Sequence, residues 1–356
     1  MTFLLFFIAL LVLILVHEWG HFYAARKLGV RVDEFGFGFP PRIASVQKGE
    51  TNYVFNLFPI GGYVKIYGES GEGSGEHQSF SSRPIWQRFI IVFAGVFMNF
   101  VLAWVLLTGS HFIGISQAVE DERDIQGAAI TIIGVEAKSP AEEGGIKFGD
   151  TVTALDINGA IRPIGTIPDL QQIIKENGGK DIGIILKRGG EERELHMIPR
   201  ENPAEGSGPL GIALEYVKIV RSPWYRAPLD GLNSLYETTI GTVQGLYSVL
   251  KNIIVSRTVS SDISGPVGIF VLTKQIQELG LSYILQFIAI LSINLAILNS
   301  LPIPALDGGR ILFMLIEKIR RRAVSAKFEA MTHTIGFVLL LILMILVTIR
   351  DVGKFF

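Results

Sequence analysis

The sequence of 356 residues contains no cysteine, which excludes disulfides, iron–sulfur clusters and thiolate zinc sites. Charge is also scarce: Asp, Glu, Lys and Arg make up 18% of the chain, below the roughly one quarter that is usual in a soluble domain, while 49% is hydrophobic. The formal net charge of -1 gives no reason to expect a nucleic-acid partner. This composition predicts a membrane protein with one soluble portion.

Four long apolar segments are candidates for membrane-spanning helices. The first runs from Phe3 to Ala25, and a signal peptide is the competing interpretation. Because no positive residue precedes this run and no small-residue cleavage site closes it, we predict a span. The others are residues 89–107, 283–303 and 334–349. Residues 230–256 mix polar and apolar side chains, and we predict an amphipathic helix near the membrane surface.

Lys and Arg are concentrated in the segments that follow the first and third spans. These are Arg26, Lys27, Arg31, Arg42, Lys48, Arg83 and Arg88, then Arg310, Lys318, Arg320, Arg321, Arg322 and Lys327. The positive-inside rule assigns both segments to the cytoplasm, so both termini and the polar segment after Ser116 should lie outside.

The predicted spans and the polar segment divide the chain into four parts. Residues 1–114 form the first part of a membrane core, and residues 115–220 form an extracytoplasmic domain. Residues 221–280 form amphipathic connecting helices, and residues 281–356 form the second part of the core.

The first span contains the motif His17-Glu18-Trp19-Gly20-His21. Residues four apart lie on one face of a helix, so both histidines can reach one metal ion, and Glu18 is close enough to hold a water molecule there. Polar side chains inside a span are costly unless they are paired or functional. The alternative is that they only join helices by hydrogen bonds. A catalytic zinc site needs a third protein ligand and an open position for water.

Asp307 is the candidate for the third ligand. It follows Pro302 and Pro304, which break the helix, and precedes Gly308 and Gly309, which allow close approach of the backbone. Irregular backbone at membrane depth must be buried in protein or line a wet cavity. The alternative role for Asp307 is a cap at a helix end that faces the cytoplasm.

A β-hairpin is predicted between the first two spans. Its strands are residues 51–57 and 62–67, joined by a turn at Pro59-Ile60-Gly61-Gly62. An edge strand beside the metal, including Gly61, Gly62 and Tyr63, could pair with the backbone of an unwound substrate. The alternative is a hairpin that only packs against the cytoplasmic face of the core.

The pair of motifs HEWGH in the first span and NSLPIPALDGG at residues 299–309 resembles the site-2 protease family (peptidase family M50), specifically its bacterial RseP-like branch. Residues 35–40 resemble the glycine-rich loop of that family. Residues 59–65 resemble its membrane-associated β-hairpin, and residues 265–269 resemble its motif ahead of the third span. The resemblance implies an α-helical polytopic membrane protein of the bacterial cytoplasmic (inner) membrane.

The resemblance further implies an intramembrane zinc metalloprotease that cuts transmembrane segments, with membrane-anchored anti-sigma factors and remnant signal peptides as substrates. One Zn²⁺ would be bound by His17, His21 and Asp307, with Glu18 as the catalytic base. Asn294 and Asn299 would contact the substrate or the developing oxyanion.

In the predicted outer domain, Ser139-Pro140-Ala141, Gly149-Asp150 and Asn158-Gly159 occur in an order that resembles the PDZ domains of bacterial membrane-linked proteases. Within that resemblance, Leu210, Gly211 and Ile212 match the carboxylate-binding loop and the peptide-binding strand. The α+β domain would then capture a C-terminus that another protease has exposed outside the membrane. The alternative is a steric filter that admits only substrates with short outer stubs.

Two other functions compete with the protease. A catalytically inactive PDZ membrane adaptor would not need His17, Glu18, His21 and Asp307 to be intact. A zinc-dependent sensor or transporter would need a polar path between the spans, whereas the polar residues form one cluster. The remaining isolated histidines are predicted to be solvated or interfacial; they are His77, His111, His196 and His333.

Overall fold

The computed structural model describes residues 2–69, 71, 73, 75–119, 125–203, 207–255 and 265–355. The chain forms two compact units. The first comprises Met1–Gly109, Pro228–Thr273 and Leu285–Phe356, and the second comprises Ser110–Ala227 and Lys274–Ile284.

In chain order the elements are α1 (Thr2–Lys27), β1 (Val32–Lys48), β2 (Thr51–Ile66), α2 (Ile85–Ile113), β3 (Ile115–Ala118), β4 (Ala129–Val135), α3 (Pro140–Glu143), β5 (Thr151–Ile157), β6 (Ala160–Pro163), α4 (Ile167–Glu176), β7 (Ile182–Arg188), β8 (Glu191–Met197), β9 (Ile212–Val220), α5 (Ala227–Val255), α6 (Pro266–Leu279), α7 (Leu281–Ser300), α8 (Asp307–Arg320) and α9 (Ala326–Phe355).

Within the described residues, four helices are long and apolar enough to cross a membrane: α1, α2, α7 and, over Lys327–Lys354, α9. They match the four spans predicted from the sequence. The third ends at Ser300, not at Ile303 as predicted, because Pro302 and Pro304 cannot continue a helix. Helix α5 covers the segment that was predicted to be an amphipathic helix.

Helix α2 lies at the centre of the first unit. Its buried Ile91 and Val92 pack with Ala25 of α1 and Met314 of α8. Further along α2, Ala103 belongs to a second cluster that is completed by residues of α7, with α5 packed against it. About 39% of the apolar window of α2 is buried, against 11% for α9, so α2 is a core helix and α9 leaves most of its apolar residues exposed.

Strands β1 and β2 form the sheet of the first unit, and its pairing corrects the predicted hairpin. The segments 51–57 and 62–67 do not pair with each other, because the first half of β1 lies between them: Phe35 pairs with Tyr53 on one side and with Val64 on the other. The connecting turn lies at Gly49 and Glu50, where Gly49 has a φ of +65°.

The segment that was predicted to be a glycine-rich loop, residues 35–40, lies within strand β1. Phe35, Phe37 and Phe39 alternate with glycines, which is the period of two of a strand. Gly36 faces the ring of Tyr63 so closely that a side chain at this position would overlap it. The alternation of phenylalanine and glycine forms a strand in spite of the loop propensity of glycine, because the ring of Tyr63 fills the space that Gly36 leaves.

The second unit contains a seven-stranded antiparallel sheet in the order β3-β9-β4-β5-β7-β8, with β6 also paired to β5. Its core includes Ile132, Leu155, Leu170 and Ile184. Helices α3 and α4 are capped by Ser139 and Thr166, whose side chains accept hydrogen bonds from the backbone N–H groups three residues later. The sequence pattern of this segment predicts helices at residues 139–146 and 168–175 and strands at residues 130–135, 151–157, 181–186 and 192–198. All are present, the first helix over a shorter range, whereas β3 and β6 were not predicted.

An ion-pair network holds the end of α6 within the second unit. The fully buried carboxylate of Asp150 accepts two hydrogen bonds from Arg188, at 2.6 and 2.7 Å. Glu278 of α6 pairs with Lys147 at 2.9 Å. Burial favours a higher pKa for Glu278, but the bonds from Lys147 and the charge of Arg188 outweigh it and lower the pKa below its ordinary value. The Gly149-Asp150 dipeptide is therefore part of a structural network.

Candidate metal centre

Three side chains from two helices converge at one buried point. Nε2 of His17 lies 3.1 Å from Oδ2 of Asp307, and Nε2 of His21 lies 3.3 Å from the same oxygen. The two Nε2 atoms are 3.1 Å apart. His17 and His21 lie one turn apart on α1, and Asp307 is the first residue of α8. The spacing of the histidines on α1 and the end of helix α7 before α8 together create the cluster that the sequence predicted.

The donor set of this cluster fits a zinc ion. Nδ1 of His21 donates a hydrogen bond to the carbonyl oxygen of Ile91 at 2.9 Å, so the neutral ring carries its lone pair on Nε2. Oδ2 of Asp307 is buried without a hydrogen-bond partner among the described residues. Lone pairs that face one another at this distance repel unless a cation lies between them. Two imidazoles and one carboxylate are a ligand set of catalytic zinc sites.

Asn99 on α2 orients the other imidazole. Its amide is fully buried and lies 3.2 Å from Nδ1 of His17. The oxygen and nitrogen ends of an amide have nearly the same shape, and Oδ1 of Asn99 has no hydrogen-bond partner in the described part of the chain. With the oxygen turned toward the ring, Nδ1–H of His17 donates to it and the lone pair of His17 lies on Nε2. Both histidines then offer Nε2 to the same point, as outer hydrogen bonds do for metal ligands.

Gly95 on α2 provides the space in which the two rings lie. A Cβ at this position would be 2.9 Å from Cε1 of His17 and would overlap Nε2 of His21. Neither Asn99 nor Gly95 was predicted as a site residue. The signal for Asn99 was its position as the one polar side chain in an otherwise apolar span; Gly95 gave none, because its role depends on what faces it.

A cavity of about 200 Å³ opens beside the cluster. It is bordered by Glu18, by Tyr63 and Val64 of β2, and by Arg310 of α8, which forms an ion pair with Glu69. Tyr63 donates a hydrogen bond from its hydroxyl to Glu34 at 3.0 Å. Burial and this bond raise the pKa of Tyr63. The cavity therefore presents a carboxylate and a strand to any molecule that reaches the cluster.

The edge of the β1–β2 sheet runs next to this cavity. Residues 62–66 pair with β1 on one side, and no strand of the described residues pairs with the other side. A side-chain atom placed on Gly62 would lie 3.5 Å from Cγ of Glu18, so this part of β2 is in contact range of α1. Gly61 is buried, and Gly62 and Tyr63 are half-buried. Of the three predicted hairpin residues, Gly62 and Tyr63 thus lie on an open strand edge near Glu18, whereas Gly61 faces the ring of Phe39.

The structure places the other predicted site residues away from this cavity. Asn294 and Asn299 are half-buried on α7 and do not line it. Leu210 is buried in the core of the second unit, and the N–H of Gly211 donates to the carbonyl oxygen of Gly208 at 3.1 Å. Ile212 begins β9, which pairs with β4 along residues 212–217 and with β3 along residues 217–220.

Two of the histidines that were predicted to be solvated or interfacial are withdrawn from solvent to different degrees. His111 is buried, and His333 is half-buried. Nδ1 of His333 accepts a hydrogen bond from the backbone N–H of Ala305 at 2.8 Å. This contact could not be predicted, because an isolated histidine in a sequence gives no sign of a backbone donor that lies 28 residues away.

The arrangement supports hydrolysis. Two neutral imidazoles and a carboxylate can hold a metal ion that activates water. Glu18 lies next to His17 in the chain and borders the same cavity, so its carboxylate is within reach of a water molecule there. The open strand edge can hold an extended peptide at the cavity.

Comparison with known proteins gives a family match and a set of similar bacterial proteins. The family model described as Peptidase family M50 matches residues 5–343. The Fusobacterium nucleatum protein FN1322 is 37% identical over the full length of both chains. The zinc metalloprotease RasP of Shouchella clausii is 30% identical over 100% of both chains, and the regulator of sigma-W protease RasP of Bacillus subtilis is 28% identical over 100% of this chain and 99% of its own.

Proposed function

The chain belongs to peptidase family M50 and is a site-2 type zinc metalloprotease of the membrane, and from this premise we propose that it hydrolyses peptide bonds inside the transmembrane segments of single-span proteins. One observation carries the proposal. Two histidines of the apolar spanning helix α1 meet an aspartate that follows the spanning helix α7. They meet at a buried point beside a glutamate. Such residues are costly at membrane depth unless they function there.

His17, His21 and Asp307 would hold the ion through two imidazole nitrogens and one carboxylate oxygen. A zinc ion bound there supplies Lewis acidity to water and to the scissile carbonyl. Glu18 would take the proton of the attacking water on its carboxylate and return it to the leaving amine. Asn294 and Asn299 would contact the substrate; this assignment rests on the family resemblance and on their place on α7, which ends just before the segment that carries Asp307.

The edge of β2 would hold the substrate in extended form. A transmembrane helix hides its peptide groups in internal hydrogen bonds, so it must unwind before attack. Backbone groups of Gly61, Gly62 and Tyr63 would then replace part of the lost hydrogen bonds by adding the substrate as a further strand. The bond from Tyr63 to Glu34 would keep this strand in register.

The substrates would be membrane-anchored anti-sigma factors and remnant signal peptides that another protease has shortened outside the membrane. The B. subtilis relative carries sigma-W regulation in its name, which supports the first class. The enzyme would lie in the bacterial cytoplasmic membrane with its second unit outside, because Lys and Arg are concentrated in the segments that follow α1 and α7.

The second unit would be a PDZ-type domain that acts as a size filter. Carboxylate capture needs free backbone N–H groups in the loop, but that of Gly211 is bonded to Gly208. The carboxylate of Glu136 also lies beside Gly211, with part of its charge balanced by Arg200 at 3.3 Å. Peptides that differ only in a free or an amidated C-terminus should bind this protein equally; a clear preference for the free acid would favour capture instead.

The class of enzyme is tested by cleavage of a tagged single-span substrate by purified wild type, Glu18→Gln and Asp307→Ala, with zinc content measured for all three. We expect Glu18→Gln to retain zinc and to lose on the order of 10²- to 10⁴-fold in rate, as for a general base. Asp307→Ala should lose both zinc and cleavage. Full turnover by Glu18→Gln with zinc bound, or absence of zinc from folded wild type, would overturn the proposal.

A further inference from the structure

The segment in front of Asp307 contains a strained turn. The N–H of Leu306 donates to the carbonyl oxygen of Ile303 at 3.2 Å, which closes a four-residue turn with Pro304 and Ala305 in the middle. Ala305 has a φ of +80°. A positive φ at the third position is the mark of a type II turn, where glycine is the usual residue. An alanine there is strained and needs support from its surroundings.

His333 on α9 supplies that support. Its Nδ1 accepts the backbone N–H of Ala305 at 2.8 Å, a donor that the turn itself leaves unpaired. Nε2 of His333 has no hydrogen-bond partner within the described part of the chain, so the bond to Ala305 is the polar contact that orients the ring. The ring also packs against Phe313 of α8, with 5.7 Å between the centroids.

Gly336, about one helical turn along α9, lets the helix lie directly on the turn. A Cβ at Gly336 would be 2.5 Å from the carbonyl oxygen of Pro304 and 2.7 Å from its carbonyl carbon. The backbone of α9 therefore contacts Pro304 at Gly336, while His333 binds the N–H of the next residue. Two positions on one face of α9 thus contact the carbonyl side and the N–H side of the single peptide group that joins Pro304 to Ala305 in the middle of the turn.

We propose that His333 is a positioning residue for the metal centre: by holding Ala305 in its positive-φ conformation, it fixes where α8 begins and so where the carboxylate of Asp307 lies. The inference rests on the proposed role of Asp307 as a zinc ligand. Leu306 is the N-cap of α8, so a rotation at Ala305 would swing the first residue of that helix directly. In this account the fourth span serves the metal centre without contributing a ligand to it.

The test compares wild type with four variants. Zinc affinity is measured by competition with a chelator in detergent, and cleavage of the tagged substrate is measured beside it. His333→Phe keeps an aromatic ring and removes the acceptor, and His333→Asn keeps an acceptor near the position of Nδ1. Thr334→Val is the matched control, because Thr334 is exposed on the same helix and its hydroxyl bonds only to Ala330. The fourth variant combines His333→Phe with Ala305→Gly and is compared with Ala305→Gly alone.

We expect His333→Phe to weaken zinc binding by about 10- to 100-fold, the usual effect of losing an outer partner of a metal site. His333→Asn and Thr334→Val should stay within about threefold of wild type on the same scale. Because glycine adopts a positive φ without strain, the effect of His333→Phe should shrink at least tenfold in the Ala305→Gly background.

An unchanged zinc affinity in His333→Phe overturns the inference, as does an equal loss in both backgrounds, which would mean that the ring only packs. A loss of thermal stability in metal-free His333→Phe with zinc affinity retained also contradicts it. These failures are distinct from failure of the proposed function, for which wild type would bind no zinc or Asp307→Ala would bind it as well as wild type.

Discussion

Gly95 leaves the space in which the imidazole rings of His17 and His21 lie, although it contributes no atom to the chemistry. The closest approach is to His21, whose Nε2 a methyl group would overlap. The interior is close-packed, so the rings can yield only if α1 moves away from α2. Gly20 on α1 faces the backbone of Ala94 in the same tight manner, so such a movement would open a direct helix–helix contact.

Gly95→Ala should therefore reduce zinc affinity by on the order of tenfold or more, since displaced ligands bind metal poorly. The change improves helix propensity by about 1 kcal/mol, so a loss of zinc cannot be attributed to a weaker helix. Chelator competition on the purified variant gives the measurement. Zinc affinity equal to that of wild type would show that the rings do not depend on this space.

Gly109 on the same helix is the matched control. A Cβ there would meet only Cδ1 of Leu285 at 3.6 Å, an ordinary contact. Gly109→Ala should leave zinc affinity and cleavage unchanged and raise thermal stability slightly. The pair separates the effect of crowding the rings from any general effect of replacing glycine in α2.

At this scale, the sequence predicts the cluster because its ligands lie in two short motifs. His17 and His21 share a helix face by spacing alone, and Asp307 is marked by the prolines and glycines around it. The supporting residues Asn99 and His333 act through contacts across 82 and 28 residues of chain. A single sequence does not contain such contacts, because they depend on how the helices pack.

Strand β2 is the element that carries the proposed substrate contact. Within residues 62–65 the backbone N–H groups alternate between β1 and the open edge, as in any strand. A proline removes one N–H, and on the open edge it disturbs no bond of the sheet. Proline should therefore destabilise the fold where the N–H points to β1 and leave it intact where the N–H points to the open edge.

A proline scan of residues 62–65 should show that alternate positions lose cleavage by about tenfold, the value of roughly one backbone hydrogen bond, while zinc content and thermal stability stay normal. The other edge of the sheet, residues 44–47, pairs only with β2 and serves as the control scan. Proline substitutions at the outward-facing positions of residues 44–47 should not change cleavage. If no stable variant in 62–65 loses cleavage, substrate does not add as a strand.

Element types were more predictable than element pairing. The short helix α3 of the second unit was marked by Ser139 with Pro140 just after it, a signal that acts within a few residues. The pairing in the first unit was mispredicted because Pro59-Ile60-Gly61-Gly62 has the composition of a turn. The phenylalanines of β1, which insert between the two segments, decide the pairing instead, and that choice depends on tertiary packing.

On the scale of the whole molecule, the spans were the most predictable feature. Backbone groups in lipid must be satisfied within the segment, so an apolar run of sufficient length has one structural outcome, a helix. All four predicted runs form helices. The third ends earlier than predicted, at Ser300, where the chain turns to present Asp307. The irregular backbone that length and hydropathy do not predict is the segment next to the metal centre.

The location of the cut bond tests the central claim most directly. The protein would be reconstituted in liposomes with a tagged single-span substrate, and the new termini would be mapped by mass spectrometry for wild type and Glu18→Gln. We predict a cut within the apolar segment of the substrate for wild type and none for Glu18→Gln. Cuts confined to the polar flanks, or an intramembrane cut that persists in Glu18→Gln, would contradict the account.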